Sequence, residues 1–163
     1  MRAVYLSLGT NLGNKKLNIN KAIELLKFHF DSTVYAASLY ETKPWGFNTK
    51  NTFLNTCVKM NLTEGANEIL KKIQLIEDEM GRVRNINEST YISRVIDIDI
   101  LYIGNEIHTT TQLTVPHPLL YERNFVLIPL LELVPSFNDP ILDKTIRKLI
   151  DECTDVEYPI KIT

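Results

Sequence analysis

Asp97 and Asp99 stand two residues apart inside Ser93-Arg94-Val95-Ile96-Asp97-Ile98-Asp99-Ile100-Leu101-Tyr102, a run otherwise built of β-branched and aromatic residues. Aspartate is depleted in strands because its short carboxylate competes for nearby backbone hydrogen bonds. The flanking Val, Ile and Tyr nevertheless predict a strand, so Ile96, Ile98 and Ile100 point one way and the two aspartates the other. Neighbouring carboxylates on one face lie roughly 6–7 Å apart and repel by on the order of 2 kcal/mol at an effective dielectric of 20. Something of opposite sign belongs over them. Mg²⁺, a hard cation that takes oxygen ligands and shares its shell with phosphate and water, suits the pair. A solvated strand end that keeps an edge soluble is the competing reading, although Ile and Leu on both sides argue against it.

Other residue types extend that chemistry. Of the six arginines, Arg82, Arg84, Arg94 and Arg123 fall in the middle of the chain, and their planar forks suit phosphate oxygens. Each taken singly also reads as a surface ion pair. Glu77 falls on the apolar face of a helical pattern, three residues after Gln74, where a carboxylate needs a structural partner or a ligand. In Thr52-Phe53-Leu54-Asn55-Thr56-Cys57-Val58, Phe53 and Asn55 share a face. With Trp45 and Phe125 they form an aromatic and amide set able to stack and read a flat heterocycle, although core packing is the default for any one Phe. His117, between two prolines in Val115-Pro116-His117-Pro118, reads equally as a phosphate or ribose donor and as a turn residue.

These groups need a scaffold. Ala3–Leu8, Ser32–Thr42 and Thr52–Leu62 read as strands, as does the aspartate run, followed by a hairpin turn at Gly104-Asn105. Gly9–Asn14 reads as a loop with Gly9 and Gly13 as backbone punctuation, because its Gly-to-Lys spacing is not that of a phosphate-binding P-loop. Helical spacing covers Ile19, Ala22, Ile23, Leu26 and Phe30, then Ala66 to Met80 with Thr63 as cap and Gly81 as left-handed terminator. Asn124–Leu133 and Lys144–Cys153 complete the helices. Strands and helices without strict βαβ alternation predict an α+β fold, helices packed on a mostly antiparallel sheet.

Bulk composition narrows the classes. The chain has 163 residues, 44% of them hydrophobic and 23% charged, the values of one globular domain spanning 1–163. The net charge of -2 and pI near 5.9 offer no footprint for nucleic acid. The N-terminal run reads as a strand rather than a secretory leader. The longest apolar segment, FVLIPLLELVP, is short for a membrane span and contains Pro129 and Glu132. Cys57 and Cys153 match no metal or redox spacing, so the expectation is a cytoplasmic protein with reduced thiols.

Taken in order, SLGTNLGN, YETKPWG, FLN, Q-x-x-E, GRVR, SRVIDIDILYIG, LTVPHP and ERNFVLIPL resemble the 6-hydroxymethyl-7,8-dihydropterin pyrophosphokinase family of folate-pathway enzymes almost from end to end. That resemblance implies a ferredoxin-like core and transfer of pyrophosphate from ATP, the co-substrate, to the pterin hydroxymethyl group with release of AMP. It implies two Mg²⁺ ions on Asp97 and Asp99, and catalytic roles for these aspartates, Arg84 and Arg94. It places Thr42, Pro44, Trp45, Phe53, Asn55 and Phe125 at the pterin. Gln74, Glu77, Arg84, Tyr91, Arg94, Thr114, His117 and Arg123 fall at ATP. The partners implied are small molecules, with no nucleic acid, membrane or obligate protein partner. The polar segments 45–51 and 85–92 are candidate lids. Two departures stand out: Ile92-Ser93 precede Arg94 where the family has Gly and then Pro or a small residue, and Gln112 stands where relatives can have Arg. Two other classes stay open. Another D-x-D phosphoryl or nucleotidyl transferase would not need the Phe53, Asn55 and Phe125 set. A non-catalytic ferredoxin-like module would bind RNA or a protein through its sheet, against the acidic pI.

Overall fold

Val4, Leu6 and Leu8 alternate along the first strand with Tyr5, Ser7 and Gly9, and the two sets go to opposite faces of one sheet. The computed structural model describes residues 1–43, 51–81 and 94–162. In chain order the elements are β1 (Arg2–Thr10), α1 (Lys15–Phe30), β2 (Tyr35–Ala36), β3 (Tyr40–Thr42), β4 (Phe53–Leu62), α2 (Ala66–Glu79) and β5 (Asp97–Ile103). They continue with β6 (His108–Thr109), β7 (Thr114–Val115), α3 (Asn124–Leu133), α4 (Ile146–Glu152) and β8 (Ile160–Lys161). The main sheet runs β5-β1-β4-β3-β8, every described neighbour antiparallel, and β2 pairs with the far end of β4. Within it β1-α1-β3-β4-α2-β5 is the interleaved pair of split βαβ units expected of a ferredoxin-like core.

Helices cover both faces. On one, α1 buries Ile19, Ala22 and Leu26 and α2 buries Ile69, Ile73 and Ile76 against Leu6, Leu8 and the isoleucines of β5. On the other, α3 and α4 pack Leu127, Leu130 and Leu149 over Tyr5, Cys57 and Tyr102. The register of β5 on β1 slips between Tyr5 and Leu6, so Leu101 is an extra residue and Leu101 and Tyr102 both join the α3 side. The bulge ends the alternation just beyond the aspartates.

Several local expectations change. Gly9 and Thr10 belong to β1 rather than to a loop, because they continue its pairing with Asn55 and Leu54. The single strand expected over Ser32–Thr42 is two short ones separated by unpaired chain. Thr63 does not cap α2; Gly65 does, with no side-chain bond, while Arg2 Nη2 donates to Glu64 O at 2.6 Å and draws the preceding turn toward β1. Gly104 turns with φ +52°, yet β6 leaves β5 and pairs with β7, so no hairpin forms there. The last helix begins only at Ile146, where Thr145 Oγ1 accepts Lys148 N–H. Gly81 has φ +86°, the left-handed terminator that the sequence predicts.

Candidate active site

Cross-strand partners share a face, so the sheet register assembles the site in rows. One row is Asp97, Gly9, Asn55 and Tyr40; the next is Asp99, Ser7 and Cys57. Both aspartates are half-buried on the α3 face, while Ile96, Ile98 and Ile100 are buried on the other. The predicted alternation therefore holds through the aspartate part of the strand.

Gly9 is more than punctuation. It sits between Asp97 and Asn55, and a Cβ there would stand 2.9 Å from Asn55 Oδ1. The absent side chain lets the Asn55 amide lie close over the strand beside Asp97. Asn55 is buried, and its Nδ2 donates to Thr42 Oγ1 at 2.8 Å, which joins two predicted ring-binding residues. Phe53 pairs with Thr42 in the register, and Phe125 stands at the start of α3, the helix that packs over β4 on this face.

Two arginines and a histidine surround the acids. Arg94 Nη1 donates to Asp97 Oδ1 at 2.9 Å. Arg123 Nη1 is 3.8 Å and His117 Nε2 is 3.9 Å from Asp99 Oδ2. Arg123 is buried and its guanidinium lies 5.7 Å from the centre of the Phe125 ring, which links the charged and aromatic sets. His117 is held to a pKa of about 4 by burial and then by the Arg123 charge, against the opposing pull of Asp97. It is thus neutral at pH 7. Its Nδ1 accepts the Leu119 N–H at 3.2 Å, so the proton sits on Nε2, the nitrogen facing Asp99.

Backbone clamps hold this constellation. Asn11 N donates to Arg94 O at 3.3 Å and Arg94 N donates to Asn11 Oδ1 at 2.8 Å, continuing the β1–β5 ladder past its last pair. Asn11 is buried, and sequence reasoning missed it; the signal available was its place in the GTNLGN motif. Glu77 comes from α2 on the opposite face and accepts the Ile98 N–H at 2.9 Å, between the two aspartates. Gln74 lies one turn earlier on that helix, half-buried. Thr114 stands exposed in β7, three residues before His117.

The structure thus gathers Arg94, Asp97, Asp99, His117 and Arg123 beside Thr42, Phe53, Asn55 and Phe125, with Glu77 at the strand edge. Pro44, Trp45, Arg84 and Tyr91 lie outside the described residues, as do Arg82 and all but Asn51 of the two candidate lids. Among the described residues no group of three or more His, Cys, Asp or Glu side chains forms a protein-only metal cage. Two half-exposed carboxylates nonetheless fit Mg²⁺, which draws its remaining ligands from water and phosphate. A separate cavity of about 500 Å³ opens at the start of α2, lined by Gly65, Lys71, His108 and Leu113 among others, away from these groups.

The family described as 7,8-dihydro-6-hydroxymethylpterin-pyrophosphokinase (HPPK) matches residues 5–135. The 2-amino-4-hydroxy-6-hydroxymethyldihydropteridine pyrophosphokinase of Aquifex aeolicus is 39% identical over 154 residues, 94% of each chain. The Bacillus subtilis protein of the same name is 40% identical over 130 residues, covering 79% of this chain and 76% of the other. Folic acid synthesis protein fol1 of Pneumocystis carinii is 36% identical over 94% of this chain, which spans only 20% of that protein. Among solved structures, wild-type HPPK-DHPS of Plasmodium falciparum with pteroate superposes with a TM-score of 0.71 at 15% identity, over 93% of this chain and 44% of the other. That likeness shows the fold.

Proposed function

The chain belongs to the 7,8-dihydro-6-hydroxymethylpterin-pyrophosphokinase family, and from that premise we propose how its residues carry out pyrophosphoryl transfer in folate biosynthesis. ATP is the donor and 6-hydroxymethyl-7,8-dihydropterin the acceptor. The hydroxymethyl oxygen bonds to the β-phosphorus as the bond from that phosphorus to the α–β bridging oxygen breaks. AMP leaves with the electron pair, and the hydroxyl proton passes to water. No protein nucleophile is needed.

Asn55 and Thr42 read the edge of the pterin and Phe53 and Phe125 stack its faces, and the family resemblance adds Pro44 and Trp45 to its contacts. Arg94 and Arg123, with Arg84, clamp phosphate oxygens. His117, neutral with its proton on Nε2, donates without adding charge. Gln74, Glu77, Tyr91 and Thr114 serve the nucleotide; Glu77 also fixes the aspartate strand through the Ile98 amide. Asp97 and Asp99 would hold Mg²⁺, two ions in this reading, whose charge would neutralise that of the polyphosphate. A cytoplasmic location fits the two free thiols. Among the described residues no helix is long and apolar enough to cross a membrane.

One observation carries the reading: the acidic pair and the amide and aromatic set lie side by side on a single sheet face, with the Asn55 amide seated over Gly9 next to Asp97. This suits two substrates side by side, and a D-x-D transferase of another class has no use for the second set. The protein, ATP, Mg²⁺ and hydroxymethyl-dihydropterin should yield AMP only when all are present. ADP as product, or AMP without the pterin, would refute the assignment. Asp97→Asn and Asp99→Asn should each lower kcat at least about a hundredfold while the fold persists.

A further inference from the structure

The start of α3 carries Arg123 and Phe125, one from each half of the site, and its capping position is occupied by Arg123 itself. An arginine side chain has no acceptor for the first amides of a helix, and Arg123 makes no capping bond. Val126 and Leu127 N–H both donate to Arg123 O at 3.0 Å, which leaves the Asn124 amide ahead of the helical ladder. A residue far along the chain takes it up. Asn124 N donates to Asp155 Oδ2 at 3.1 Å, and Asn124 Nδ2 donates to Asp155 O at 2.7 Å. Asp155 is itself held, because its Oδ1 accepts the Glu157 N–H at 3.0 Å. Asn124 is fully buried, so no water can replace this carboxylate without opening the helix end.

The same tail then reaches the pocket's other wall. β8 pairs with Tyr40 and Glu41, Ile162 N donates to Leu39 O at 2.8 Å, and Lys161 Nζ donates to Glu132 Oε1 at 2.8 Å. Thr42 is the last residue of β3. One stretch near the C-terminus thus ties the helix bearing Arg123 and Phe125 to the strand bearing Thr42, and it lies beyond residue 135, where the family match ends.

We infer that Asp155 is a positioning residue that caps α3 from outside and thereby sets where Arg123 and Phe125 stand over the site. A negative charge at a helix N-terminus is favourable, and one that arrives from the tail leaves the capping residue free to be a cation aimed at Asp99. The inference rests on the roles proposed above for Arg123 and Phe125.

The test compares Asp155→Ala, Asp155→Asn and Asp155→Glu with Thr145→Ala, which strips the side-chain cap from the neighbouring α4 and leaves α3 untouched. Asp155→Ala should raise the pterin KM about fivefold, the factor corresponding to one lost helix cap. It should also speed exchange of the Asn124 amide about tenfold. Asp155→Asn keeps an acceptor oxygen and should recover most of both. Asp155→Glu should show a smaller rise of the same sign, and it carries the test if the alanine variant does not fold. Thr145→Ala should lower the Tm with the pterin KM unchanged. A wild-type KM in Asp155→Ala, or an equal rise in Thr145→Ala, would overturn the inference alone. Wild-type protein that turns over no pterin would remove its premise and overturn both.

Discussion

Gly9 shows how much a missing side chain decides. On β1 it pairs with both Asp97 and Asn55, and without a Cβ it lets the Asn55 amide lie over the strand next to the acidic half of the site. Gly9→Ala puts a methyl group 2.9 Å from Asn55 Oδ1, and Asn55 cannot turn away without giving up its bond to Thr42. The pterin KM should rise about tenfold while the ATP KM moves less than twofold, since ring recognition depends on the amide. Steady-state kinetics with each substrate varied in turn checks it. The aspartates and Asn55 stood out as candidates by residue type and spacing, whereas His117 read equally as a turn residue until the fold set its Nε2 3.9 Å from Asp99. Asn11 was not. An amide in a short polar motif says nothing of its target until β1 and β5 are paired and Arg94 arrives beside it.

At the scale of elements, α3 is held to β3 and β8 by one carboxylate. Glu132 accepts from Ser38 N and Tyr40 Oη, each at 2.7 Å, and from Lys161 Nζ at 2.8 Å. Burial alone would raise its pKa, but these donors prevail and hold it at about 2. The folded-state value is thus depressed, so the stabilisation is fully present above the unfolded pKa near 4.5 and is lost as pH falls through about 2. Glu132→Gln should cost on the order of 2 kcal/mol at pH 7, after allowance for its partial exposure, with the deficit shrinking between pH 4.5 and 2. Urea denaturation of both proteins across that range checks the sign. Glu132 was visible in the sequence only as a charge interrupting an apolar run, because its partners come from residues about thirty and ninety positions away.

For the whole molecule, the segment between α3 and α4 is pinned under the sheet by Asp139, which is fully buried. Its Oδ2 accepts Tyr102 Oη at 2.7 Å and Tyr121 Oη at 2.9 Å, and its Oδ1 accepts the Ile141 and Leu142 amides at 2.9 and 2.8 Å. Asp139→Ala would leave those donors buried and unsatisfied and should destabilise the protein by about 3 kcal/mol or more, measured as a fall in the denaturant midpoint. Short-range pattern foresaw most of the fold, including β1, β4, β5, the stripe of α2 and the span of α3, because alternation and helical spacing are written in neighbouring residues. It missed the division of the second strand, the cap of α2 and the exit from β5, each of which answers to a distant partner. By itself the sequence determined the chemistry on offer: two acids on one face, arginines, an amide beside an aromatic ring, and the family motifs. Only the tertiary structure decided which cation faces which acid, that Gly9 makes room for the Asn55 amide and that Asp155 caps α3. Those outcomes depend on strand register and on contacts across long stretches of chain, which no local pattern of residues specifies.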